Sequence, residues 1–233
     1  MNNKQELAKK IYDQKLVEKI TKKINLLGIN NKLNTISFLN TRIFTSVIVF
    51  VLSLYTFDLG YIIAPILTVI YYYLYEKIVL DDKIKRRREN LESEAMNFFE
   101  ILTLSLETGR NLEEALNVTI SNVDGELSLE FKEAIRETNF GKSLKESLMD
   151  MQKYIPSESI NNIILALTQA NMSGSSIIDT MYNQIDYMRE KRKLEIKAEI
   201  SKVPVKISII SVFFFIPLIL LIILGPVILS YIS

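Results

Sequence analysis

The sequence predicts an all-α membrane protein: a cytoplasmic six-helix antiparallel bundle of three helix hairpins, plus three transmembrane helices. Three observations predict this class. Uncharged runs occupy residues 43–57, 59–75 and 207–233. Apolar residues recur at helical spacing between the second and third runs, and no stretch alternates convincingly as a strand. Within that region a glycine turn pattern occurs three times. A composition of 48% apolar and 24% charged residues fits membrane segments joined to a soluble part.

Residues 1–42 form a basic amphipathic N-terminal segment, with nine Lys/Arg against three acids. Leu7, Ile11, Leu16, Ile20, Ile24 and Leu27 approach one helical stripe, and Gly28 is a plausible stop. Two placements are open. The helix lies on anionic lipid, or it packs on a partner or on the cytoplasmic domain.

Residues 43–75 read as a transmembrane hairpin. Asp58 is the single charge in the run and splits it into 15 and 17 uncharged residues. A helix needs about 20 residues to cross a bilayer core, so flanking residues must contribute. A buried soluble hairpin is the alternative. Tyr71, Tyr72, Tyr73 and Tyr75 sit where amphipathic rings anchor at headgroups. Residues 207–233 are 27 uncharged residues, enough for a C-terminal transmembrane helix. Pro217, Gly225 and Pro226 are read as kink positions in it, and Pro204 precedes it.

Orientation follows from the basic residues. Residues 77–88 hold six Lys/Arg against two acids, and residues 189–206 hold seven against three. Arg86, Arg87, Arg88, Lys202 and Lys206 are thus expected at the membrane junction, facing anionic headgroups. The Asp58 loop and the C-terminal tail carry no basic residue. The N-terminus and residues 76–206 are therefore expected in the cytoplasm, and the C-terminus outside.

The cytoplasmic region is acidic where its flanks are basic: residues 89–188 carry six basic and seventeen acidic residues, a net of 6 − 17 = −11. Its turns share one grammar. GRNLEEAL begins at Gly109, GKSLKESL at Gly141 and GSSIIDTM at Gly174. In each, Gly closes one helix in a left-handed conformation, and Asn111, Ser143 or Ser176 caps the next. Glu114, Glu146 or Asp179 follows three residues after the cap, as in a capping box. The predicted hairpins are 91–108 with 112–121, 127–139 with 144–153, and 159–172 with 177–200. Asn122–Gly125 and Tyr154–Ser157 supply the turns between them.

Little here points to chemistry. The chain has no cysteine and no histidine, so thiol nucleophiles, zinc–thiolate sites and the usual neutral-pH acid/base are excluded. GKS lacks the glycine that a phosphate loop needs five residues upstream, where Arg136 stands, and Lys142 is read as an exposed charge. Glu113-Glu114 and Asp81-Asp82 are read as solvated faces. An acidic domain argues against nucleic acid. No enzyme activity, metal or cofactor is expected.

Leu104–Leu116, the central Gly-x-Ser-Leu-x-x-Ser-Leu, the third Gly turn and the basic helix entering a Pro-interrupted span resemble the type II secretion system F-domain family. The ending at Ala198–Lys206, Phe215–Pro217 and Leu224–Val227 is similar to single-F-domain platform proteins of Tad (Flp) pilus assembly, TadC-like more than TadB-like. That resemblance implies an inner-membrane platform without enzyme activity. Its implied partners are a secretion ATPase, pilin subunits, membrane lipid, and a paralogous platform protein or a second copy of itself. A membrane-tethered signalling or regulatory helical protein is the alternative.

Overall fold

The structure is a computed structural model that describes residues 12–29, 31–56, 60–170 and 177–232. The described residues contain helices and no strand. The chain divides into two compact units, residues 1–185 and 186–233.

The first unit opens with α1 (Gln14–Asn25). The Asp13 side chain accepts from the Lys15 N–H at its start, and Gly28 turns the chain at φ +98° just beyond its end. Ile20 and Ile24 are buried in one cluster with Phe38, Leu39 and Leu80. Burial of each isoleucine is worth about 1.5–3 kcal/mol. The described part of the stripe therefore packs on the chain itself, while Leu7 and Ile11 lie outside the described residues.

Two helices then form the apolar hairpin, α2 (Thr35–Thr56) and α3 (Gly60–Glu76). Asn34 starts α2, its side chain accepting from the Ile36 N–H. At 22 residues, α2 is about 33 Å long, a full bilayer core. The missing length of the uncharged run thus comes from Thr35–Arg42. Gly60 is buried at the closed end of the hairpin, where a Cβ would meet the Leu54 carbonyl oxygen at 2.8 Å. Only glycine allows that approach.

α3 does not stop at Glu76. A π-helical turn, Lys77–Asp81, joins it to α4 (Asp82–Glu107), giving one helical run of 48 residues from Gly60 to Glu107. The sequence carries no signal for the π turn. Along α4, Leu91, Ala95, Phe98, Leu102 and Leu106 fall on one buried face. Phe98 stacks on Phe131 at 4.6 Å between centroids, and Phe99 meets both rings edge-on.

Phe131 comes from α6 (Glu126–Asn139), which packs on α4, on α5 (Leu112–Asn122) and on α7 (Leu144–Met151). A 3₁₀ turn, Gln152–Tyr154, leads to α8 (Glu158–Ala170), which supplies Ile160, Ile163, Ile164 and Leu167 to the core. The last helix, α9 (Ile177–Ile232), begins in this unit, where Met181 and Ile185 are buried and the Tyr182 hydroxyl donates to Glu107 Oε1 at 2.7 Å.

The second unit is the remainder of α9. It stays helical through Pro204, Pro217 and Pro226 to Ile232. Among the described residues, three helices are long and apolar enough to cross a membrane: α2, the run from Gly60, and α9.

Candidate functional site at the base of the apolar hairpin

The polar chemistry of the first unit gathers where the hairpin meets the cytoplasm-predicted helices. At its centre is Glu76, the last residue of α3. Arg42 reaches it from α2, with Nη1 3.1 Å from Oε2; Lys23 and Lys19 reach it from α1 at 2.8 and 3.5 Å. Arg42 is only 2% exposed. Its guanidinium also donates to the Tyr72 carbonyl through Nε and Nη2, and its Cζ lies 3.6 Å over the Tyr72 ring. A buried arginine is tolerable only with such partners. Lys23 spans further, reaching Asp81 in the π turn at 2.7 Å. Burial opposes the charge on Lys23, but hydrogen bonds to Asp81 and Glu76 outweigh it and raise its pKa. Asp81 is thus a partner of α1 rather than part of a solvated face.

A second cluster lies about three turns beyond Glu76 on the same helical run. Arg87 is 7% exposed and pairs with Glu126 Oε1 and Glu130 Oε1, both at 2.5 Å. Its Nη1 donates to the Leu26 carbonyl at 2.9 Å and to the Tyr154 carbonyl. One side chain on α4 therefore ties the end of α1, the first turn of α6 and the 3₁₀ turn. Gly28 makes room for it, since a Cβ there would lie 2.9 Å from Arg87 Nη2. Burial raises the Glu130 pKa, and the Arg87 charge opposes that rise.

Arg87 is thus not a headgroup contact. Arg86 and Arg88 on either side of it are exposed, as are Lys202, Lys206 and Pro217. Neighbours at i±1 on a helix point apart, so a run of three arginines divides between interior and solvent.

Two further α4 side chains act on helix starts. The Glu94 Oε2 accepts from the Leu127 N–H at 2.9 Å, capping α6, whose own N-cap position is Gly125. A Cβ on Gly125, at φ +152°, would lie 2.6 Å from that oxygen. Buried Ser157, which precedes α8, donates to Glu92 Oε1 at 2.6 Å.

At the turns read from sequence, Gly109 has φ +84° and the Asn111 side chain accepts from the Glu114 N–H at 2.9 Å. Gly141 has φ +92°, and Ser143 with Glu146 forms a reciprocal capping box. Gly174 and Ser176 lie outside the described residues, and of Gly225 and Pro226 only the helical backbone is described. Lys142 is not a free surface charge: its Nζ contacts Glu137 Oε2 at 2.6 Å and Asp150 Oδ2 at 2.5 Å across the turn. Hydrogen bonds from Lys142 and Lys153 hold the Asp150 carboxyl down at about 2. No group of acidic residues able to hold a metal ion occurs among the described residues.

This organisation frames the match to a known family. The sequence model for the type II secretion system (T2SS), protein F, matches residues 98–225, more than half of the chain. The chain belongs to the T2SS protein F family. No curated protein and no solved structure matches it. The T2SS F match starts at Phe98 in the aromatic core of α4 and ends in the apolar part of α9. Family membership and three span-capable helices make this an inner-membrane protein of secretion or pilus machinery. The Glu76 cluster, Arg87, α1 and the hairpin lie upstream of the matched residues, whereas the Arg87 partners Glu126, Glu130 and Tyr154 lie within them.

Proposed function

We propose that this T2SS F protein is the inner-membrane platform of a Tad-type (Flp) pilus assembly machine, TadC-like more than TadB-like. It couples a cytoplasmic secretion ATPase to the assembly of pilin subunits or the export of a protein. In this reading residues 76–206 form a cytoplasmic six-helix bundle, the N-terminus is cytoplasmic, the C-terminus lies outside, and the protein itself catalyses nothing.

The observation that carries the proposal is the helical run from Gly60 to Glu107. Its first part is apolar enough to lie in a membrane, and its last part supplies Phe98, Phe99 and Leu102 to the core that the family match begins in. A platform needs such an element, because force applied to the bundle must reach the membrane through covalent, packed structure rather than a loose linker. The net charge of −11 over residues 89–188 suits a partner with a basic face, whose attraction weakens as salt rises. Pairing with a paralogue or a second copy fits a single F domain.

Co-isolation of the full-length chain from membranes tests the proposal. The expected result is recovery of the cognate ATPase and pilin at low salt, with the ATPase lost as salt is raised. Recovery of neither at low salt contradicts it.

A further inference from the structure

We propose that α1 is a strut that crosses the π-helical joint and makes the hairpin and the cytoplasm-predicted helices of the first unit move as one body. The proposal does not depend on which partner the protein meets. It concerns a helix outside the family-matched residues.

The joint is the π turn, Lys77–Asp81. A π turn is a single wide turn in an otherwise α-helical run, a feature that often sits at functional positions. By itself, the run from Gly60 to Glu107 would bend most easily there. α1 runs alongside and is fixed on both sides of that turn.

On the hairpin side, Ile20 and Ile24 are buried against Phe38 and Leu39, and Lys23 holds Glu76 on one flank of the π turn and Asp81 within it. On the other side, the Leu26 carbonyl at the C-terminal end of α1 accepts from Arg87, which also holds Glu126, Glu130 and the Tyr154 carbonyl. α1 also touches the 3₁₀ turn, Gln152–Tyr154. The two attachments differ in kind. The hairpin side combines an apolar cluster with several ion pairs, whereas the far side rests on the buried Arg87–Glu130 pair, with Glu130 also accepting from the Ile29 backbone. The far attachment is therefore where the strut releases. Gly28 belongs to this latch, because its left-handed turn lets the chain pass Arg87 without a side chain in the way.

Distances between paired spin labels in the full-length protein in nanodiscs test this, and the cysteine-free sequence allows clean labelling. Labels at Ser37→Cys on α2 and Lys132→Cys on α6 report across the joint, both positions being accessible at the surface. Labels at Ser93→Cys on α4 and Asn139→Cys on α6, also exposed, report within the cytoplasm-predicted helices. Arg87→Met with Glu130→Leu removes the latch without stranding a buried charge. Gly28→Val displaces it by a different route, through backbone strain and contact with the guanidinium.

The starting protein is expected to give one narrow distance for each pair. In both altered proteins the cross-joint distribution is expected to broaden about twofold, as hinge motion is released, while the other pair stays narrow. A cross-joint distance that remains narrow in either variant overturns the proposal, because the joint is then stiff without the strut. Equal broadening of both pairs also overturns it, since the contacts would then only hold the fold.

Discussion

Arg87 Nη2 and Glu130 Oε1 lie 2.5 Å apart, and each side chain is more than nine-tenths buried. A pair in that position behaves asymmetrically. Removing one partner strands a buried charge and costs about 3–5 kcal/mol, whereas replacing both with apolar groups of similar volume is often neutral. Arg87→Ala is therefore expected to lower the melting temperature strongly, and Arg87→Met with Glu130→Leu to recover most of the loss. Thermal unfolding followed by circular dichroism in detergent checks this. A double variant no more stable than Arg87→Ala would show that the pair is not the source of the effect.

Gly141 and Lys142 test the middle turn. Gly141 has φ at +92°, and no atom lies within 4 Å of where a Cβ would sit, so Gly141→Val is opposed by backbone conformation alone. That costs about 1–2 kcal/mol. Lys142→Ala removes two solvent-screened ion pairs, and a smaller loss is expected. Equal melting temperatures for the two variants would contradict the left-handed turn.

The Glu94 cap makes a prediction about Gly125. Glu94→Ala leaves the Leu127 N–H without its acceptor, an expected loss of about 1 kcal/mol. Gly125→Ala is expected to cost more, since its Cβ would lie 2.6 Å from the Glu94 carboxylate at a φ of +152°. Denaturation midpoints of the two variants check the order.

Acid stability follows from Asp150. Its carboxyl sits at about 2 rather than the ordinary 3.8, held down by Lys142 and Lys153. A depressed carboxyl pKa gives stability that is fully present above the ordinary value and is lost as pH falls through the folded one. The contribution of this turn should therefore fade between about pH 4 and pH 2. Lys142 is raised by the same contacts, so it keeps its charge through neutral pH. Asp150→Asn is expected to lower the melting temperature at pH 6 and to flatten its fall below pH 4. Parallel curves for both proteins would exclude the pair as a contributor.

What the sequence could carry is set by distance along the chain. A cap joins residues three apart, as in Asn111 with Glu114, and an uncharged run announces a span by itself. Arg87 is different, because its partners stand 39, 43, 61 and 67 residues away. No periodicity marks that pairing, and a cluster of arginines beside an apolar run reads as headgroup contact. Asp81 is obscured in the same way, as a member of a charge run, and Arg42, a lone cation at the edge of an uncharged run, carries no sign of its partner Glu76. The burial of Ile20 and Ile24 was half legible: the stripe was plain, but one stripe serves lipid and protein alike. The π turn leaves no residue signature at Lys77–Asp81. The glycines were the best available clue, since Gly28 and Gly125 both make room for a charged side chain from α4.

The platform function stands or falls on whether the helices between residues 82 and 185 face the compartment that holds ATP. Single cysteines answer this in intact cells, probed with a membrane-impermeant thiol reagent. Lys132→Cys, at an exposed position on α6, is the reporter, with Asp58→Cys, between the first two uncharged runs, as its counterpart. A platform with a cytoplasmic bundle predicts labelling of Asp58→Cys from outside, and of Lys132→Cys only after the membrane is permeabilised. Labelling of Lys132→Cys in intact cells would contradict it.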